Sequence, residues 1–306
     1  KDHLEVIRKV VPSASVSVVN DSDIRKQSNQ LLEAEIIITD DFSLIDLEKT
    51  KSLQWVHADF AGVDTLSAHL KNSSILITNS SGVHPIPIAQ HVFAFILMFA
   101  RGIHVSYCNQ IEQKGWTRRF DLLALQELSG KTIGIVGYGR IGKEIGRVAE
   151  LFGMNVLAFT HHEGDINSLL KQSDFVVNAL PSTTETHHFF DKKKFAQMSA
   201  KGGSSPGRKK SAYFINIGRG ATVDEKALID VLKQKQIAGA GLDVFETEPL
   251  PKSSPLWSLE NVILTPHYSG WTPYYMDRVI AIFCENLKAY APGTPMPNLV
   301  DKRKGY

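Results

Sequence analysis

The sequence has 306 residues, 43% of them hydrophobic, which is enough for the cores of two ordinary domains and excludes general disorder. Its 34 basic and 32 acidic residues nearly cancel, so we expect neither nucleic acid nor a membrane surface as a partner. Cys108 and Cys284 match no metal-binding or redox spacing, and the most apolar run, 86–100, is too short to cross a bilayer. No signal-peptide pattern opens the chain, so a cytoplasmic protein without a metal site is expected.

Predicted helices and strands alternate along the whole chain. The first residues form a helical pattern followed by a predicted strand at 15–19. Because an α/β domain normally opens on a strand, we expect another strand to precede them, the alternative being a fold that begins on a helix. Further strands are predicted at 36–39, 55–58, 75–79, 132–137, 155–160, 175–180, 213–217, 238–244 and 261–265. These runs are apolar on successive residues, which indicates parallel strands covered by helices on both faces.

The strands fall into two series, separated by a long predicted helix at 84–101, and another helix is predicted at 273–290. The fold class is therefore α/β, with two Rossmann-like domains. We expect a substrate domain made of residues 1–84 and 284–306, and a dinucleotide-binding domain made of residues 85–283.

The first polar motif after a predicted strand is "GYGRIG", which contains Gly137, Gly139 and Gly142. A strand before it and a helical pattern after it are the context in which such glycines bind a dinucleotide. The helix would present N–H groups at Arg140 and Ile141 to the phosphates. The alternative is a structural turn rich in glycine.

The next predicted strand ends at Thr160-His161, where NAD-binding proteins usually carry an acidic residue that accepts hydrogen bonds from the ribose. Thr160 and His161 are instead suited to donate hydrogen bonds to a 2′-phosphate. The sequence therefore favours NADP over NAD. The alternative is that Glu163 or Asp165 supplies the missing acid.

Three later strands are each followed by a functional side chain: Arg219, Glu248 and His267. Because the carboxyl ends of parallel strands meet at one edge of a sheet, we expect these side chains at the cofactor site. Arg219 would hold a carboxylate or carbonyl oxygen, and His267, oriented by Glu248, would transfer a proton. Each also has a structural reading: a surface arginine, a turn cap and a loop histidine.

Four motifs resemble those of the D-isomer-specific 2-hydroxyacid dehydrogenases: "ELSGKTIGIVGYGRIG", "FINIGRGATVDEKALIDVL", "AGLDVFETEPLP" and "NVILTPHYSG". The resemblance implies reduction of a small 2-keto acid to the D-2-hydroxy acid with NAD(P)H. It also implies a homodimer, and a doubly wound NAD(P)-binding domain inserted into a flavodoxin-like substrate domain.

The resemblance assigns further residues to the site. Asp243 would meet the nicotinamide carboxamide, and Pro181 would belong to a turn that lines the cofactor. Ala61 and Gly62 would hold the substrate carboxylate through backbone N–H groups, and Asn79 would line the same site.

The chain departs from the family pattern in several places. Gln90 stands where the family usually has Glu, and Thr160 stands in place of the acid, as in the NADP-using glyoxylate and hydroxypyruvate reductases. The segment 199–210, rich in Gly, Ser and Lys, is an insertion predicted to be a surface loop, either tolerated or regulatory. The alternative function is a cofactor-sensing, corepressor-like binding protein on the same fold, which the lack of an extended basic arm disfavours. Formate or phosphite oxidation is a weaker alternative.

Overall fold

The computed structural model describes residues 2–19, 29–62, 66–113, 125–160, 163–198 and 211–302. The chain divides into two compact units: unit 1 comprises Lys1–His84 and Trp271–Tyr306, and unit 2 comprises Pro85–Gly270. One boundary follows residue 84, as in the predicted division. The other differs, because a break after residue 283 would cut a helix, Tyr275–Tyr290, that lies wholly in unit 1. The insertion 199–210 lies outside the described residues.

Unit 1 is a small parallel sheet with helices around it. Its elements are α1 His3–Val10, α2 Asn29–Leu32, β1 Ile36–Thr39, β2 Trp55–Ala58, α3 Ala68–Asn72, β3 Leu76–Thr78 and α10 Tyr275–Tyr290. The strands pair in the order β1-β2-β3. Alternate β2 residues enter different cores, since Val56 packs beside Ile77 while the Trp55 ring stacks on Phe283 of α10 at 5.0 Å between centroids.

The predicted strand at 15–19 is wrong. These residues form no strand ladder with any described residue. Their valines alternate with serines, and while Val16 packs against the core around Trp55, Val18 is 75% exposed. The segment therefore covers the edge of that core without entering the sheet.

Unit 2 is a larger α/β unit. Its elements are α4 Pro85–Ala100, α5 Ile103–Gln113, β4 Thr132–Val136, α6 Arg140–Leu151, β5 Asn155–Phe159, α7 Ile166–Gln172, β6 Phe175–Asn178, α8 Lys192–Met198, β7 Tyr213–Asn216, α9 Glu225–Lys233, β8 Gly239–Leu242 and β9 Val262–Leu264. Each predicted strand from residue 132 onward is confirmed, with somewhat tighter bounds.

The six strands of unit 2 form one parallel sheet in the order β5-β4-β6-β7-β8-β9. Separate hydrophobic cores cover its two faces, one including Phe214 and Leu228 and the other including Ile135 and Phe95. This arrangement confirms the predicted doubly wound fold. The strand order reverses between β4 and β6, and ligands of such sheets bind at the carboxyl ends of the strands beside that reversal.

The most apolar helix, α4, is a core helix of unit 2. Pro85 occupies its first turn, where a proline breaks no helical hydrogen bond, and eight of its side chains are buried. Among the described residues, no single helix is both long and apolar enough to cross a membrane. Only α4 and the first part of α5 taken together, across a bend of 71°, reach that length and composition.

Candidate active site

The turn between β4 and α6 requires glycine at two positions. Gly137 has a φ of +99°, and a Cβ there would lie 2.7 Å from the carbonyl carbon of Ala179. A Cβ on Gly142 would collide with the carbonyl oxygen of Gly137. The chain therefore turns sharply at the end of β4, and helix α6 packs directly against the turn.

The start of α6 has the form of a phosphate site. Gly139 is the N-cap residue, and, apart from its chain neighbours, no atom of the described residues lies within 4 Å of the position that its Cβ would occupy. The backbone there is open to close approach by a ligand. The N–H groups of the first helical turn, which includes Arg140 and Ile141, have no acceptor within the helix and carry its partial positive charge. These residues fit the pyrophosphate of a dinucleotide.

The neighbouring strand β6 ends in a turn that is held by hydrogen bonds. Asn178, fully buried, donates to Asn216 Oδ1 at 2.9 Å and to Thr222 Oγ1 at 2.7 Å, and its own oxygen accepts from the N–H of Leu180 at 3.1 Å. Pro181 follows in an exposed position, directly after the residues Ala179 and Leu180 against which Gly137 packs. The amide of Asn178 thus fixes the direction in which the chain leaves β6.

Thr160 lies directly after β5 and closes a turn. Its hydroxyl accepts the N–H of Glu163 at 3.0 Å, and its own N–H donates to the carbonyl of Glu163 at 2.9 Å. Asp165 caps helix α7 by accepting the N–H of Asn167 at 2.9 Å. The helix cap therefore already engages Asp165, one of the two acids that were the alternative ribose ligands. His161 lies outside the described residues.

Arg219 follows β7 and precedes a short 3-10 helix, Gly220–Thr222. Its guanidinium is half-buried and donates to the carbonyl of Gly218 at 2.9 Å. A Cβ on Gly220 would collide with the carbonyl of Phe245. The loop that carries Arg219 therefore packs directly on the loop that follows β8.

His267 and Glu248 form a hydrogen-bonded pair. His267 Nδ1 lies 2.6 Å from Glu248 Oε2, while Glu248 Oε1 accepts the N–H of Phe245 at 2.9 Å. Both carboxylate oxygens are thus engaged, so the carboxylate is fixed in orientation. The imidazole remains half-exposed, and its Nε2 is the nitrogen left to meet a substrate.

Asp243 holds the turn that carries His267. Its carboxylate is fully buried and accepts three hydrogen bonds, from Thr265 Oγ1 at 2.6 Å, the N–H of Tyr268 at 3.1 Å and the N–H of Ser269 at 3.0 Å. Its backbone carbonyl accepts the N–H of His267 at 2.9 Å. His267 has a φ of +51°, in the left-handed region, and these bonds fix that conformation.

In unit 1, the loop after β2 is anchored by its carbonyl groups. Four successive carbonyl groups each accept a hydrogen bond: that of Ala58 from Ser80 Oγ at 2.9 Å, that of Asp59 from Tyr275 Oη at 2.8 Å, that of Phe60 from the N–H of Ser80 at 3.0 Å, and that of Ala61 from Asn79 Nδ2 at 2.8 Å. Asn79 therefore acts on the loop that includes Ala61 and Gly62. The carbonyl groups of this loop therefore point toward donors within unit 1.

Behind this loop lies a buried histidine, His57, which belongs to no recognisable sequence motif. His57 Nδ1 is 2.6 Å from Thr78 Oγ1 and its Nε2 is 3.1 Å from Ser80 Oγ. Burial lowers the pKa of His57 to about 4, so the ring is neutral at pH 7. Since Ser80 gives its own proton to the carbonyl of Ala58, Nε2 of His57 is the protonated nitrogen. The neutral ring thus locks Ser80 against the loop.

Other residues that hold the site were also missed: Asn178, Asn216, Ser80, Thr265 and Tyr275. Two of them share a readable signal, because an asparagine ends each of the apolar strands "FVVN" and "YFIN". A polar side chain at the last position of a buried strand needs a partner beyond the strand. Tyr275 gives no such signal, since its partner lies far away in the sequence.

The structure places the predicted residues at the carboxyl ends of strands within their own units. In unit 2 they follow β4, β5, β6, β7, β8 and β9, and in unit 1 they follow β2 and β3. Of the predicted catalytic trio, His267 and Glu248 are in direct contact, and Arg219 lies on a loop that packs against the loop before Glu248. Among the described residues, no group of three metal-ligating side chains is assembled.

Comparisons with known proteins agree with this architecture. Residues 93–269 match the family described as "D-isomer specific 2-hydroxyacid dehydrogenase, NAD binding domain". The chain is 32% identical to a glyoxylate reductase of Korarchaeum cryptofilum, with 87% of this chain and 81% of the relative covered. It is 35% identical to glyoxylate/hydroxypyruvate reductase B of an Enterobacter species, with 83% and 80% covered.

Among solved structures, a D-isomer specific 2-hydroxyacid dehydrogenase from Xanthobacter autotrophicus superposes with a TM-score of 0.80 at 26% identity. The alignment covers 100% of this chain and 95% of that structure, which contains NADPH and MES. The similarity therefore extends over both compact units.

Proposed function

Since the chain belongs to the D-isomer-specific 2-hydroxyacid dehydrogenase family, we propose that it reduces glyoxylate, hydroxypyruvate or a similar small 2-keto acid to the corresponding 2-hydroxy acid with NADPH, giving the D isomer where the product is chiral. The observation that carries the proposal is the pair formed by His267 and Glu248, at the sheet edge that bears the glycine turn. The names of the two reductase relatives support this substrate class.

In the proposed reaction, a nicotinamide held at this site would supply hydride to the keto carbon. His267 donates the proton from Nε2 to the carbonyl oxygen, so that the C=O group becomes an alcohol. Glu248 holds Nδ1 and stabilises the positive charge that the ring carries before the transfer. Arg219 orients the substrate through its carbonyl oxygen or carboxylate, because a planar guanidinium offers several N–H donors in a fixed geometry.

The substrate carboxylate is proposed to bind the loop after β2. Four of the carbonyls of this segment are engaged within unit 1, so ligand binding falls to N–H groups such as those of Ala61 and Gly62. Asn79 holds the loop in that orientation through the carbonyl of Ala61. The dinucleotide would use the glycine turn, the start of α6 and the turn at Pro181. Asp243, whose carboxylate is fully buried, would act at the nicotinamide carboxamide through the turn that it holds.

NADPH is expected to be the preferred cofactor, by about tenfold or more in kcat/KM, or roughly 1.4 kcal/mol. Thr160 places no negative charge after β5, and Asp165 is engaged in a helix cap. Thr160→Asp should therefore weaken the binding of NADPH and reverse the preference in favour of NADH, because the new carboxylate repels the 2′-phosphate. Steady-state kinetics of glyoxylate and hydroxypyruvate reduction with both cofactors test this.

A matched control is Asn155→Asp, which adds the same charge at the opposite end of β5. It should leave the NADPH preference unchanged. A wild-type enzyme that prefers NADH would contradict the assignment of Thr160 and point to Glu163 as the ribose ligand. NADPH binding without turnover of any keto acid would favour the nucleotide-sensing alternative.

A homodimer is proposed from the surface of α5. Three apolar side chains on one face of this helix are largely exposed: Ile103 at 49%, Tyr107 at 60% and Ile111 at 61%. Their spacing of four residues forms a continuous stripe, and such a stripe on a surface helix is typical of a protein interface. A twofold-symmetric pairing would bury the stripe of each copy.

Tyr107→Glu combined with Ile111→Glu is expected to convert the dimer to monomers, because the interface would then bury unpaired charges. Light scattering coupled to size-exclusion chromatography measures the mass. The control Val18→Glu puts the same charge on another exposed apolar side chain and should leave the mass unchanged. A dimer that survives the double substitution would place the interface elsewhere.

A further inference from the structure

The turn that carries His267 is fixed by a carboxylate whose own position depends on a neighbour. Thr265 Oγ1 donates its single proton to Asp243 Oδ1 at 2.6 Å. The same oxygen lies 3.0 Å from Nε2 of His91, a residue of helix α4. Because the hydroxyl proton is already committed to Asp243, the hydroxyl accepts a hydrogen bond from His91. The proton on the imidazole is therefore on Nε2.

The surroundings of His91 keep this arrangement in place. Burial lowers the pKa of His91, although the nearby Asp243 carboxylate, 3.9 Å from Nε2, acts in the opposite direction. The ring is neutral at pH 7 and keeps the single donor that Thr265 needs. It also meets Phe95 edge-on at 4.7 Å and Tyr268 edge-on at 5.4 Å between ring centroids. His91 thus contacts the turn that carries His267 at two points, the hydroxyl of Thr265 and the ring of Tyr268.

We propose that His91 is a positioning residue for the reaction, acting through Thr265 and Asp243 on the orientation of His267. The chain of hydrogen bonds runs from His91 Nε2 to Thr265 Oγ1 and on to the carboxylate of Asp243. That carboxylate also accepts the N–H groups of the two residues that follow His267 in the sequence. Without the first donor, the Thr265 hydroxyl is free to rotate, and the carboxylate loses its fixed partner. The proposal rests on the role of His267 in the proposed function.

A second histidine of unit 2 provides the comparison. His104 Nδ1 lies 3.0 Å from the carbonyl of Met98, and its ring meets Phe99 at 5.1 Å. Burial also lowers the pKa of His104, so the two rings are alike in burial, charge and aromatic contact. They differ in their hydrogen-bond partners, since His104 bonds to a carbonyl of helix α4 and His91 bonds to the turn that carries His267.

The test compares His91→Phe with His104→Phe in the full-length protein. Because small displacements of a catalytic group are costly, His91→Phe should lower kcat by about 10- to 100-fold, with KM and the Kd of NADPH within about twofold of the wild type. His104→Phe should leave kcat within about twofold, at a similar loss of melting temperature. His91→Gln, whose amide can donate to Thr265, should restore most of the activity.

A double-mutant cycle with Thr265→Val identifies the route of the effect. If His91 acts through Thr265, the double variant should be no slower than the slower single variant, rather than showing the product of the two losses. Equal kcat in wild type and His91→Phe would overturn the proposal, as would multiplicative losses or failure of His91→Gln to restore activity. Normal turnover in a His267→Asn variant would instead overturn the proposed function, so the two failures are distinguishable.

Discussion

Replacement of His267 by asparagine is expected to lower kcat for keto-acid reduction by about 10²- to 10⁴-fold, the usual contribution of a general acid. Asparagine is the suitable replacement because the residue has a φ of +51°, which asparagine adopts more readily than most side chains. It removes the group that protonates the carbonyl oxygen and retains the backbone of the turn. Cofactor affinity, measured by NADPH fluorescence, should stay within about twofold of the wild type.

The chain offers a closely matched control in His188. This residue is also left-handed, with a φ of +48°, and its Nε2 lies 2.7 Å from Glu246 Oε1, much as His267 pairs with Glu248. His188→Asn should leave kcat within about twofold, because nothing in the proposed reaction uses this ring. Equal losses in the two variants would show that the left-handed histidines act by stabilising their loops, and His267 would lose its assignment as the proton donor.

Replacement of Asp243 by alanine is expected to lower the free energy of unfolding by about 2–5 kcal/mol, because it leaves buried hydrogen-bond donors unpaired. The donors are the Thr265 hydroxyl and the N–H groups of Tyr268 and Ser269. Activity should fall as well, since the turn that fixes His267 is released. Urea denaturation followed by tryptophan fluorescence gives the free energy, and steady-state kinetics give kcat.

Asp174→Ala separates the two effects. Asp174 accepts the N–H of Thr132 at 2.9 Å, at the amino ends of β4 and β6, away from the proposed site. Its removal should also destabilise the protein while leaving kcat within about twofold. An Asp243→Ala variant with unchanged kcat would show that the turn keeps its form without the carboxylate, and would contradict the anchoring role assigned to it.

The regular elements were predictable from the sequence because their signal is local. Each strand of unit 2 is a short apolar run, and Gly142 of "GYGRIG" is required by a contact within the turn itself, with the carbonyl of Gly137. The failed strand at 15–19 shows the limit of this signal. A run of valine and serine satisfies the β pattern, but pairing depends on an edge that lies elsewhere in the chain.

The supporting contacts of the site were less predictable, because they join residues far apart in sequence. His91 and Thr265 are brought together only by the packing of α4 beside the end of β9. Tyr275 reaches Asp59 from a helix at the far end of the chain. The residues proposed to perform the chemistry carry a sequence motif, whereas those that orient them are visible only in the folded chain.

The division of unit 1 into two separated segments has a consequence for synthesis on the ribosome. The core around Trp55 needs Phe283, and the carbonyl of Ile77 needs the N–H of Val300, so the first segment emerges long before its partners. At typical translation rates, synthesis of Pro85–Gly270 takes about 10–40 s. Unit 2 is contiguous, so it is free to fold once Gly270 has been added, before the second segment of unit 1 has been made. The nascent β1–β3 segment meanwhile exposes apolar side chains, which chaperones bind, and backbone, which proteases cleave.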